Sequence, residues 1–251
     1  MKTRLIVHTD SIKTSDAHTF RAAAFTLEKD YNSIYPNDLV KTVFIKSGHD
    51  LVSTINKEAR DTIISLDVVS HGNQGGIHIA RKLVHPVKSG VIQKSAHYKI
   101  RRYSDSPQSI EQADLIEQSM HGLYTDWFAK KGVSYYYNQT YANSTDTRYL
   151  SSIEFNRFSN EGFVEFHGCR TAEHIPGFNN YFKDNFAKQF SDKIQRGVTV
   201  IGHITNSNPN KTPTGKFSDY RHGRVNVYQD GSVLHKEALR EALVFPNSST
   251  R

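Results

Sequence analysis

The chain predicts an α/β domain with a central, mostly parallel sheet flanked by helices. Two observations carry that expectation. Short apolar runs alternate along the sequence with longer segments in which apolar residues return every three or four positions, as when strands feed crossover helices. The run Val198 to Ile204 is almost continuously apolar, as in a strand covered on both faces. A length of 251 residues with 37% apolar and 11% aromatic content is enough for one such core and excludes a disordered tail, so a single domain over 1–251 is expected.

Arg4 to His8 reads as the first strand. Thr14 or Ser15 is placed to cap a helix reaching about Leu27. Val40 to Ile45 is a β-branched run that stops before Gly48, and Asp50 to Ala59 reads as a helix. Ile63 to Ser70 is mostly apolar and ends at His71-Gly72, with Ile77 to Ala80 continuing as a short hairpin or bulge. Arg81 to Tyr103 is basic and poorly periodic, which predicts a loop with small strands. Ser106 as cap and Pro107 at the first helical position open a helix. Ile110, Ala113, Ile116, Met120, Leu123 and Trp127 continue it at spacings of three and four until Gly132. Val133 to Glu161 is rich in Tyr, Asn, Ser and Thr and reads as a hairpin lid, so about 81–161 is set apart as an insertion. Phe163 to Phe166 returns to strand and runs into His167-Gly168-Cys169. Phe178, Phe182, Phe186, Phe190 and Ile194 make one stripe of a helix closed by Gly197. After Val198 to Ile204, Asn206 to Asp219 is a polar loop and Arg224 to Tyr228 a last strand. Gln229 to Ser232 reads as a turn and Leu234 to Leu243 as a terminal helix.

Composition narrows the function classes. Lys and Arg exceed Asp and Glu by 32 to 25, a net charge of +7, but the excess is spread along the chain as on an ordinary solvated surface. Cys169 is the only cysteine, which rules out an intrachain disulfide and argues against a disulfide-stapled secreted domain. No segment approaches the roughly 18 apolar residues of a spanning helix, so no membrane partner is expected. In MKTRLIVHTD the apolar run is only Leu5 to Val7, short of the roughly 7 to 15 residues of a signal peptide. The expectation is a cytoplasmic protein, or one delivered to a target cell by a route other than general secretion. The sequons at Asn138, Asn143 and Asn247 are then read as chance. A Gly-x-Ser-x-Gly elbow, a phosphate loop at Thr214-Gly215-Lys216-Phe217 and a Gly-x-Gly-x-x-Gly after the first strand are all missing.

Two reactive side chains fall where an open parallel sheet places its ligands, at the C-terminal ends of strands: His71 and Cys169. A thiol of ordinary pKa, about 8.5, is mostly protonated at neutral pH, and an imidazole that takes its proton makes it a nucleophile. Glycine beside each residue permits close backbone approach, so the amides of Gly72 and Cys169 together suit an oxyanion.

The segments DVVSHGNQGGIHIA and VEFHGCRTAE resemble the strand-His-Gly and strand-Gly-Cys motifs of the caspase-like cysteine peptidases. That group holds caspases, gingipains, separase-like CHAT domains and the autoprocessing domains of large bacterial toxins. The helix Phe178 to Ile194, then VTVIGHIT and RVNVYQDGSV, follow the same downstream order, so the resemblance in architecture runs from Arg4 to Leu243, its specific part being the two motifs. It implies a three-layer sandwich, with His71 as general base and proton donor and Cys169 as nucleophile. Gly72 with the Cys169 amide would form the oxyanion site, and no metal or organic cofactor is implied. The implied partner is a protein or peptide substrate along the sheet edge. Asp10, in the chain leaving the first strand, would favour Lys or Arg before the cut, and His203 is a further candidate substrate-binding residue. The Gln-Ala-Cys-x-Gly of true caspases is replaced by His167-Gly168-Cys169-Arg170-Thr171, which points away from that branch. The long connection between the motifs would select substrate, or block the cleft until a regulatory or immunity partner, or a cut, releases it.

Other readings compete. A catalytically inactive relative would keep the same motifs. His167, Cys169 and His174 lie close together, with His71, His78 or His203 available to join them around a metal. That spacing is neither Cys-x-x-Cys nor His-Glu-x-x-His, so no metal is expected and His167 reads as a packed or supporting residue. A basic nucleic-acid-binding module, resting on Arg101-Arg102 and the tyrosines near 135 to 149, is the non-enzyme alternative.

Overall fold

The computed structural model describes residues 1–9, 19–46, 48–73, 76–81, 96–101, 148–173, 185–207 and 220–243. Its main sheet is built from β1 (Thr3–His8), β2 (Leu39–Phe44), β3 (Ile63–Val69), β8 (Phe158–Phe166), β9 (Thr199–His203), β10 (Arg224–Gln229) and β11 (Ser232–Leu239). The spatial order of these seven strands is β11-β10-β9-β8-β3-β1-β2. Pairing is parallel from β2 through β9, while β10 runs antiparallel to β9 and β11 antiparallel to β10. A mostly parallel α/β sheet is therefore present, as the sequence predicts.

Helices α1 (Thr19–Ile34), α2 (Gly48–Asn56) and α3 (Phe186–Ile194) pack on it. Right-handed crossovers explain where each goes. Moving outward from β1 to β2 places α1 on one face; moving back past β1 to β3 places α2 on the other. The buried side chains agree. Phe20, Ala24, Leu27 and Tyr31 of α1 cluster with Ile6, Val69 and Phe163. Leu51 and Ile55 of α2 and Phe186 and Phe190 of α3 share the opposite core with Leu5, Val7, Leu66, Val68, Val164 and Phe166. Because side chains alternate along a strand, every residue between those apolar ones faces α1. That layer holds the buried Arg4, Asp67, Glu165, His167 and His203.

A second, four-stranded sheet hangs from the end of β3. Its strands are β4 (His71–Asn73), β5 (Gly76–Arg81), β6 (Ala96–Arg101) and β7 (Arg148–Tyr149), in sequence order. The hairpin expected at Ile77 to Ala80 is thus real, with His71 opposite His78 in register.

Three expectations need correction. The segment from Leu234 is not a terminal helix: β11 occupies Ser232–Leu239 and a single 3-10 turn follows at Arg240–Ala242. Asp230 and Gly231 both have positive φ, 48° and 75°, and Gln229 faces Ser232, the geometry of a tight two-residue hairpin that overrides the helical spacing. Strand β8 begins at Phe158, five residues before the strand start expected at Phe163. Phe158 pairs with Ile63 but Phe163 with Ser65, and this irregularity, with Glu161 at φ 61°, hides the strand by breaking its alternation. Within the stripe from Phe178 to Ile194, α3 begins at Phe186, where the Asn185 side chain accepts from the Lys188 amide as an N-cap. The preceding residues 174–184, like the helix expected from Pro107 to Gly132, lie outside the described residues. Among the described residues no helix is long and apolar enough to cross a membrane.

Candidate active site

Strands β3 and β8 are parallel neighbours, and Val68 lies opposite Phe166, so the chains leaving them emerge side by side. The His167 amide donates to the Val68 carbonyl at 3.0 Å and carries the pairing one residue further. Beyond it the two motifs touch through their glycines. A Cβ on Gly168 would stand 3.0 Å from both the Gly72 nitrogen and the Ser70 carbonyl oxygen. One on Gly72 would stand 3.1 Å from the Cys169 carbonyl oxygen and 2.6 Å from Thr171 Cγ2. Space, rather than backbone conformation, is what these glycines provide. All of the close neighbours of Gly168 are backbone and cannot rotate away. Gly168→Ala is therefore expected to destabilise the fold by about 1–3 kcal/mol, the usual cost of overpacking. Urea denaturation measures it, and a change within about 0.5 kcal/mol of zero, as at an ordinary surface position, would contradict the close approach.

His71 and Cys169 are both half-buried. The His71 ring meets Phe20, in the first turn of α1, edge-on at 4.9 Å between centroids. Nearby, the Thr9 amide donates to the Val69 carbonyl, so His71 borders the place where the chain after β1 and the chain after β3 part. Crossovers leave β1 and β3 on opposite faces, which makes this the switch point of the sheet, where open α/β folds bind ligands. The Cys169 sulfur lies 3.6 Å from the Ser207 hydroxyl oxygen and 3.7 Å from the Ser207 carbonyl oxygen. Ser207 donates its own proton to the His167 carbonyl at 2.9 Å, so it offers the thiol only acceptors. Arg170 and Ala172 amides donate to Thr205 and His203 carbonyls, tying the turn around Cys169 to the end of β9. Sequence reading placed Ser207 in a polar loop and missed it. Asp10 and His174 lie outside the described residues.

Beneath this end of the sheet, on the α1 side, runs a buried polar layer. Tyr31 donates to Asp67 Oδ2 at 2.8 Å, and the His167 Nε2 proton goes to Asp67 Oδ1 at 2.9 Å. Burial, and then the Asp67 charge, push the Tyr31 hydroxyl well above its ordinary pKa, so it remains a donor. Glu165 accepts from Arg240 Nε and Nη2, both at 2.7 Å, in a two-pronged pair. Burial pushes the Glu165 carboxyl up, but the Arg240 charge, helped by His167 and by the Arg240 hydrogen bonds, brings it to about 2. His203, a candidate substrate-binding residue by the family resemblance, is only 1% exposed and lies in this buried layer. Burial drives its pKa down to about 3, so it is neutral. Of the residues weighed as metal ligands and set aside on spacing, His167 and His203 do come together, joined by Glu165, which that set did not include.

No protein family, curated protein or solved structure matches this chain. Geometry and chemistry alone therefore carry the functional reading.

Proposed function

We propose that the chain is a cysteine endopeptidase that hydrolyses peptide bonds through His71 and Cys169, on a caspase-like three-layer sandwich. The observation that supports this most is the glycine contact. His71 and Cys169 are far apart in sequence and each stands beside a glycine at the end of a parallel strand, and the backbones at those two glycines pack closer than any side chain would allow. Packing a core does not need an imidazole and a thiol there; nucleophilic catalysis does.

In this reading His71 takes the thiol proton and the Cys169 sulfur attacks the substrate carbonyl carbon. The carbonyl π bond becomes an oxyanion held by backbone amides, with those of Gly72 and Cys169 as the donors. Collapse expels the amine, which leaves with the proton from His71, and a thioester remains. Water, deprotonated by His71, then releases the acid and restores the thiol. In the structure Cys169 rests against Ser207 acceptors, so the sulfur must turn from Ser207 toward the substrate for the first step. The substrate is a protein or peptide, met in the cytoplasm or in a cell to which the chain is delivered, and a regulatory or immunity partner acts on the long connection between the motifs. Asp10 selects Lys or Arg before the cut.

The test uses the single cysteine. The protein, untreated or alkylated with iodoacetamide, is incubated with a whole-cell lysate and newly formed N-termini are sequenced. New termini that vanish on alkylation are expected, and Lys or Arg before the cut supports the Asp10 assignment. The same termini with and without alkylation would rule the reading out.

A further inference from the structure

We propose that Glu165, His167 and His203 form a binding site for a divalent transition-metal ion, of which zinc is the first probe. The residues reach one point because of strand geometry. Glu165 and His167, two apart at the end of β8, face the same side. Phe166 lies opposite Gly202, so the next pair sets His203 beside His167 on that side. One ligand atom from each residue lies within 4.8 Å of the others, and His167 Nδ1 is 3.9 Å from Glu165 Oε1.

Two further observations point to a ligand. His167 Nδ1 and His203 Nε2 are buried and have no hydrogen-bond partner among the described residues. Orphaned buried nitrogens are costly, and two of them on histidines clustered with one carboxylate call for a partner there. The second is how the two His167 nitrogens are placed: Nε2 lies 2.9 Å from Asp67 Oδ1, and Nδ1 is turned toward Glu165. A carboxylate behind an imidazole is the usual support of a metal-bound histidine. Glu165 Oε1 accepts one hydrogen bond from Arg240 and keeps a second lone pair. Within this layer Arg240 pairs with Glu165, while Arg4 pairs with Asp38 and Arg221 with Asp30. Two imidazoles and one carboxylate are a donor set for zinc, cobalt or nickel, with a fourth position left to water. Bound there, the ion would cross-link β8 to β9 just before Cys169. The site does not include His71 or Cys169, so its test stands apart from the peptidase reading.

Protein stripped with EDTA is titrated with zinc chloride by calorimetry and with cobalt(II) by visible absorption. Stoichiometric binding is expected, with a rise in Tm and tetrahedral cobalt bands lacking a thiolate charge-transfer band. Cys169→Ala should bind as wild type does. Asp67→Asn should weaken binding by about 10–100-fold through the lost support of His167, and His203→Leu by more. Where a variant does not fold, anomalous scattering at the zinc edge from soaked wild-type crystals locates the ion between the three residues. No binding by stripped wild type, an ion elsewhere, a folded His203→Leu binding normally, or binding lost in Cys169→Ala each overturns the proposal.

Discussion

On the proposed peptidase function, Cys169→Ala is expected to abolish all cleavage while the fold survives. The sulfur is half-buried and its contacts to Ser207 are long, so its removal costs little packing. The stability change should stay within about 1 kcal/mol, nearer a surface substitution than a core truncation. Activity has no comparable cushion, because the thioester cannot form. His71→Ala should lower the rate by about 10²–10⁴, the range spanned by general acid–base catalysis. The double variant should be no worse than Cys169→Ala alone, since both residues serve one step. Cys169→Ser sharpens the result: it preserves shape and hydrogen bonding to Ser207 but supplies a hydroxyl that is far harder to ionise. Purified variants are compared by cleavage of a lysate protein identified with wild type. Unchanged cleavage by Cys169→Ala would end the peptidase reading, and additive losses in the double variant would mean that the two residues do not work as a unit.

What the sequence made legible follows from how local each signal is. Strands β1, β3 and β9 are short apolar runs whose own residues announce them, and the order of runs and helices predicts a parallel sheet. His71-Gly72 and Gly168-Cys169 were readable as strand-end motifs for the same reason, though their contact depends on β3 and β8 being neighbours. Strand β11 was not readable, because its Leu, Ala and charged residues suit a helix and only the preceding Asp230-Gly231 hairpin makes them extended. The polar layer went unread, although Asp67 and Glu165 each interrupt an apolar run and so signal a buried partner. Which partner, Tyr31 on α1 or Arg240 after β11, is decided by the face each element covers and by a turn 75 residues downstream of Glu165.

That distant partner carries the largest stability effect. Arg240→Met should destabilise the protein by about 3–5 kcal/mol, the cost of leaving a buried charge without its mate. Glu165 has no exposed surface, and both of its oxygens are engaged by the guanidinium. With Arg240 gone, burial dominates and the carboxyl moves from about 2 to above its ordinary range. The sign of the pH dependence then reverses. In wild type the pair contributes stability above the unfolded pKa of 4.5, lost as pH falls toward 2. In Arg240→Met the folded carboxyl binds its proton more tightly than the unfolded one, so the deficit shrinks as pH falls toward 4.5. Urea denaturation of chelator-treated protein at neutral and mildly acidic pH reads both effects. Adding Glu165→Leu to Arg240→Met should recover most of the loss, because apolar replacement of a whole buried pair is often neutral. A single variant within about 1 kcal/mol of wild type would mean that the pair behaves like an exposed one. Recovery is the decisive arm: an Arg240 acting only through packing would leave the double variant at least as unstable as the single, whereas an unpaired Glu165 predicts that removing the carboxylate restores the fold.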